Sequence, residues 1–192
     1  MRIGILKSAA KAFRRLGYHG ATVEEIAAAL HMNKGNLYYY FKNKEEILYA
    51  CHQYSLDRLL QLLADAEATR DPADLKLRRI IHGAVHLILD ELHGTALFLD
   101  LEALTPAHLK AVIMQRDRFD HGLRRIIEEG VDDGTFHPFE HHAPDASTRA
   151  KLLSFAILGA VNWIPRWYNP TGSASSDDIA RQFCDYLIAG LK

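Results

Sequence analysis

The chain has 192 residues, 48 % of them hydrophobic and 24 % charged, a balance that fits a globular protein and excludes a disordered one. No apolar run approaches the roughly 18 residues a membrane span needs, and Met1 to Lys11 is too polar and interrupted for a secretory leader, so a cytoplasmic location is expected. The formal net charge of −1 hides an asymmetry: residues 1–50 carry eight Lys and Arg against four Asp and Glu, and the remainder fifteen against twenty, which reserves a polyanionic partner for the first fifty residues.

The periodicity is helical nearly throughout. Ile5, Leu6, Ala9, Phe13 and Leu16 recur at spacings of three and four and form one apolar stripe, which Gly17 ends. Thr22 and Glu25 stand in the T-x-x-E arrangement of a capping box, followed by the apolar face Val23, Ile26, Ala27 and Leu30. His31-Met32-Asn33 breaks that pattern, and a third short helix is expected over about Lys34–Phe41. Asn43 with Glu46 marks the start of a helix reaching about Ala66. Pro72 opens the next, to about Glu91. A short helix is expected over about Thr95–Leu104 and a long one from Pro106 to about Glu129. A turn centred on Asp133-Gly134 comes next, then a polar loop over 137–146. Two final helices cover about Ser147–Tyr168 and Ser175–Leu191. The expected fold is all-α with about nine helices, divided into a three-helix N-terminal domain (1–46) and a helical body (47–192). Cys51 and Cys184 are far apart and read as buried small hydrophobes, not a disulfide framework.

Two helices of about eight residues joined by a three-residue turn, Thr22 to Phe41, are a helix-turn-helix candidate. Leu37 and Phe41 are four apart and face inward, leaving Lys34, Asn36, Tyr38, Tyr39 and Tyr40 outside. Three adjacent tyrosines point in three directions on a helix, so they cannot all be core. Their hydroxyls can donate to phosphate oxygens and their rings can touch thymine methyls. Gly35 lets the backbone approach a groove, and Lys44 can hold a phosphate at the start of the fourth helix. Tyrosine is also enriched at protein interfaces, so a helical protein-interaction module without DNA binding is the alternative.

The stretch Ile5–Leu48 resembles the DNA-binding domain of the TetR family of repressors. The resemblance rests on Ile5-Leu6, Ala9-Ala10, Phe13, Gly17-Tyr18, Thr22-Val23, Ile26-Ala27 and the contiguous run Asn33-Lys34-Gly35-Asn36-Leu37-Tyr38-Tyr39-Tyr40-Phe41, completed by Lys42-Asn43-Lys44-Glu45-Glu46. Tyr40 stands where the family usually has histidine, and the leader before Ile3 is very short. The resemblance implies that Thr22, Tyr39, Tyr40 and Lys44 contact phosphates, while Lys34, Gly35, Asn36 and Tyr38 lie in the major groove. It also implies a two-fold dimer on a palindromic operator, built by the last two helices, and a small-molecule effector pocket in the body. Leu152–Tyr168 is apolar around most of its helix, as a helix buried on two sides would be.

Asn162-Trp163-Ile164-Pro165-Arg166-Trp167-Tyr168 and the Pro, Gly and Ser-rich segment after it resemble members of that family that respond to acyl-coenzyme A esters. Arg166 could pair with a phosphate while Trp163 and Trp167 flank an acyl chain or adenine. Equally, the tryptophans could pack a dimer seam and Arg166 cap its helix. His86, Leu89, Phe98, Leu101, Ile113, Phe119 and Leu123 are further pocket candidates, and a hydrophobic effector without coenzyme A fits them as well. The effector set is His86, Phe98, Phe119, Trp163, Arg166 and Trp167. His82 and His86 have ligand-compatible i, i+4 spacing, but no Glu follows His82 and no third ligand is evident in the sequence. His137, Glu140, His141 and His142 lie in a polar loop. No metal and no cofactor are therefore expected. With no G-x-S-x-G, P-loop or G-x-G-x-x-G, neither is an enzyme.

Overall fold

A computed structural model describes residues 1–91, 100–137 and 145–192. Among them stand eight α-helices: α1 (Arg2–Gly20), α2 (Val23–Ala28), α3 (Lys34–Tyr40), α4 (Lys44–Glu67), α5 (Ala73–His86), α6 (Pro106–Asp132), α7 (Ala146–Trp167) and α8 (Ser176–Ala189). The all-α reading holds, and the described residues contain no strand. A π turn spans Leu87–Glu91 and a 3-10 turn Leu101–Ala103.

Three boundaries differ from the periodicity. The first helix kinks at Gly17, whose backbone takes φ 70°, and runs one turn further to Gly20. There the Ala21 N–H closes back onto the Gly17 carbonyl at 3.1 Å. The fifth helix ends at His86 rather than Glu91 because the chain widens there into the π turn, with Leu87, Ile88 and Leu89 all buried. Of the short helix expected over Thr95–Leu104, residues 95–99 lie outside the described residues, and the remainder holds the 3-10 turn. That is why eight α-helices stand where about nine were expected.

The chain forms two compact units. The first joins Met1–Asp57 with Leu87–Gln115, and the second joins Arg58–His86 with Arg116–Lys192. The first unit buries Ile5, Leu6, Ala9, Phe13, Ile26, Leu37, Phe41, Ile47 and Leu48. Helices as short as α2 and α3, six and seven residues, are not stable alone and exist because they share this core. The Cys51 thiol lies within it, 3.6 Å from the Leu6 carbonyl, and burial pushes its pKa up to about 12.

The second unit packs α5 against α8. Ile80, Ile81, Ile179 and Ile188 are buried, and the Cys184 thiol lies 3.4 Å from the Arg78 carbonyl. Lys76 is buried and pairs with the half-exposed Glu129 at 2.6 Å, so its charge is not left without a partner. A second polar group, the Asp120 carboxylate, takes a hydrogen bond from the Ser154 hydroxyl and an ion pair from Arg124.

Candidate nucleic-acid interface

Local side-chain chemistry builds the frame around α3. Thr22 caps α2: its hydroxyl oxygen accepts from the Glu25 N–H at 3.2 Å, and the Glu25 carboxylate accepts from the Thr22 N–H at 3.0 Å. This is the reciprocal box the sequence predicts. The turn before α3 places His31 at φ 55°, a left-handed conformation that costs a non-glycine residue about 1 kcal/mol or more. Asn33 then caps α3 by accepting from the Asn36 N–H at 2.8 Å, and Asn43 does the same for α4 by accepting from the Glu46 N–H at 2.8 Å.

On that frame Leu37 is fully buried and the rest of α3 faces out. Tyr39 is 86 % exposed and Tyr38 41 % exposed, while Lys34, Gly35 and Asn36 are also exposed and Tyr40 is half-buried. The Tyr39 and Tyr40 rings meet edge to face at 5.4 Å. Lys34 pairs with Glu24 at 2.5 Å, which raises the lysine pKa and lowers that of the carboxylate. Its ammonium also sits 5.7 Å from the centre of the Tyr38 ring. Thr22, Lys34, Gly35, Asn36, Tyr38, Tyr39 and Tyr40 thus all belong to α3 or to the cap beside it.

Lys44 is engaged differently. Its ammonium donates to the carbonyls of Tyr18 at 2.8 Å, Ala21 at 2.9 Å and His19 at 3.4 Å, and lies 4.4 Å from the centre of the Tyr18 ring. Three donors meet three carbonyls left over at the end of α1, so Lys44 fastens that end to the start of α4.

A second set of contacts, which the sequence alone does not reveal, joins this frame to residues 100–108. The Tyr18 N–H donates to the Asp100 carboxylate at 2.7 Å. Glu45, beside Lys44, accepts from the Thr105 N–H at 2.9 Å and lies 2.8 Å from His108 Nδ1. The His108 ring stacks on Tyr49 at 3.8 Å with 5° between the planes. Burial, with Glu45 adding to it, pushes the Tyr18 phenol pKa up.

The effector candidates are scattered over both units. Phe119 and Leu123 are buried on α6, and His86 faces Asp177 at 3.7 Å. Trp163 is 63 % exposed on α7, with the Arg166 guanidinium 5.8 Å from its ring centre. Trp167 stacks on Phe183 of α8 at 6.1 Å. Leu89 is buried and Ile113 exposed in the first unit, Leu101 is half-buried there, and Phe98 lies outside the described residues. Two clefts in the second unit are lined by other side chains. One of about 340 Å³ touches Leu75, Arg78, Arg79, His82 and Gly83, and one of about 290 Å³ touches Ile127, Val131, Arg149, Ala150 and Leu153.

α7 has two apolar faces. Ala150, Ser154, Ile157, Val161 and Ile164 are buried, while Leu152, Phe155, Gly159, Trp163 and Trp167 form an exposed stripe at spacings of three and four. A Cβ placed on Gly159 would meet nothing within 4 Å.

Fold and site together define a helix-turn-helix protein, with short capped helices presenting a polar and aromatic face. The family profile described as "Bacterial regulatory proteins, tetR family" matches residues 5–51, and "Tetracyclin repressor-like, C-terminal domain" matches residues 70–191. The chain belongs to the TetR family of transcriptional regulators, which are not enzymes. It is 25 % identical to the HTH-type transcriptional repressor KstR2 of Rhodococcus jostii over 99 % of this chain and 90 % of that one. The crystal structure of the regulator PfmR from Thermus thermophilus superposes with a TM-score of 0.81 at 30 % identity, covering 98 % of each chain. AibR in complex with isovaleryl coenzyme A and operator DNA shares the fold, with a TM-score of 0.77 at 23 % identity over 100 % of this chain and 98 % of that one. Among the described residues no helix is long and apolar enough to cross a membrane.

Proposed function

We propose that the chain is a repressor that binds a palindromic operator as a homodimer and is released from it by a small-molecule effector, with acyl-coenzyme A esters the leading class. Residues 1–46 are the DNA-reading domain and 47–192 the ligand-binding and dimerisation domain. The observation that carries this reading is the outward face of α3, with its tyrosines and Asn36 held on a capped frame and only Leu37 committed to the core. Lys34, Gly35, Asn36 and Tyr38 read base edges; Thr22, Tyr39 and Tyr40 hold phosphates. Lys44 adds its charge from the clamp it forms at the end of α1.

The exposed stripe of α7 supports the dimer, because an isolated chain would leave large apolar side chains in water. Two half-sites then stand about one helical turn, roughly 34 Å, apart. Support for the effector class comes from the exposed Arg166 guanidinium, a cation able to pair with a phosphate, beside that stripe. The fold is also one that carries both an acyl-coenzyme A and operator DNA in AibR. Asp100, Glu45 and His108 offer the route from residues 100–108 to the recognition frame.

The test is titration of the protein–operator complex with acyl-coenzyme A esters of graded chain length, alongside free coenzyme A and free fatty acids. One ester should lower operator affinity at least about tenfold, a coupling near 1.4 kcal/mol, and Arg166→Ala should abolish the response. Release by a fatty acid alone would replace the ester with a hydrophobic effector, and indifference to every compound would remove the ligand class.

A further inference from the structure

The helix pair α5 and α8 carries a constellation that DNA reading does not use. His82 and His86 sit one turn apart on α5, with ring centres 4.6 Å apart. Asp177, in the first turn of α8, brings its Oδ1 to 3.0 Å from His82 Nε2 and 3.7 Å from His86 Nε2. One donor atom from each residue lies within 4.8 Å of the other two. In a tetrahedral site with metal–ligand bonds of about 2.0–2.2 Å, donor atoms stand roughly 3.3 Å apart, so a small closure of one rotamer completes the triangle. All three side chains are partly exposed, which leaves the remaining positions to water.

The surroundings favour a cation. Arg181 holds the other oxygen of Asp177, Oδ2, at 2.7 Å and so orients Oδ1 toward the histidines. Nearby guanidinium charges already have carboxylates of their own: Arg78 pairs with Asp185, Arg79 with Asp71, and Arg181 also with Asp178. Two imidazoles and one carboxylate suit Zn²⁺ and its neighbours Ni²⁺ and Cu²⁺; Mg²⁺ and Ca²⁺ prefer all-oxygen ligand sets. The sequence shows the i, i+4 histidine pair but not its third member, which lies 95 residues from His82 and is brought in by helix packing alone.

We propose that His82, His86 and Asp177 form a three-ligand site for a Zn²⁺-type divalent ion that ties α5 to the first turn of α8. The site uses no residue of the DNA-reading face and shares only His86 with the effector candidates.

The experiment is calorimetric titration of chelator-treated, tag-free full-length protein with ZnCl₂, paired with thermal unfolding. One Zn²⁺ should bind per chain at or below about 10 µM, and 100 µM Zn²⁺ should raise the melting temperature by about 3–6 °C. Millimolar Mg²⁺ should do neither. His82→Ala/His86→Ala and, separately, the shape-preserving Asp177→Asn should each weaken binding at least about tenfold and remove the thermal shift. A variant with His137, His141 and His142 all changed to Ala should behave as the parent. No uptake at 100 µM Zn²⁺ overturns the proposal. So does uptake that the α5 and α8 variants leave unchanged, because the ion then lies elsewhere.

Discussion

Two lysines of the N-terminal frame look alike in sequence and do different work. Lys34 is exposed and its partner Glu24 is exposed too, and such surface pairs contribute little to stability. Lys34→Ala should therefore leave the melting temperature unchanged. It should weaken binding to the operator more than to unrelated duplex DNA, because the ammonium is assigned to base edges. A variant that melts earlier and binds equally well would reverse that assignment. Lys44 has three carbonyl acceptors, and charge-assisted hydrogen bonds contribute about 1.5–3 kcal/mol each where water is excluded, less where it is not. We expect Lys44→Ala to cost about 1–3 kcal/mol in chemical denaturation and to weaken DNA binding for every sequence alike. Unchanged stability would mean the clamp is idle.

At the scale of elements, what was legible in the sequence is what is local. The capping residues Thr22 and Asn43 act on a residue three positions on, so spacing alone reveals them, and the outward face of α3 follows from 3.6-residue periodicity around Leu37. The partners of Tyr18, Glu45 and His82 were not legible. They lie 82, 60 and 95 residues away in the chain, and only tertiary packing selects them. The π turn at Leu87 was hidden for another reason: a run of apolar residues reads the same in an α turn and in a wider one.

Two predictions belong here. A Cβ on Gly130 would stand 2.7 Å from the Ala73 Cβ and closer still to the buried Phe136 ring. Gly130→Ala should thus destabilise the protein by about 1–3 kcal/mol, a fall of roughly 3–10 °C in melting temperature for a chain this long. An unchanged melting curve would show that Phe136 moves aside freely. His108 couples residues 105–108 to Glu45 and Tyr49. His108→Ala should keep effector-free operator affinity within about threefold while reducing effector-driven release by about 0.5–2 kcal/mol. A full response in that variant would place the coupling elsewhere.

For the whole molecule, the proposed dimer rests on the exposed stripe of α7. Trp163, 63 % exposed, contributes little to the fold of one chain but would be covered by a partner. Trp163→Glu should leave the helical content unchanged and shift the particle from twice the chain mass to once, as read by light scattering. Operator affinity should fall by at least about 100-fold because one half-site supplies too few contacts. A dimer that survives this change would put the interface on another face.

The most direct measurement of the central claim is selection of duplexes from a random pool by the parent protein, followed by binding of the selected sequence at two salt concentrations. The same titration is made with Asn36→Ala and Tyr38→Ala. The account predicts a palindromic selected site and an affinity that falls steeply with salt. Each variant should lose about 1–3 kcal/mol of discrimination without a change in melting temperature. A pool that shows no enrichment, or variants that bind the selected site as the parent does, would contradict the claim that α3 reads DNA.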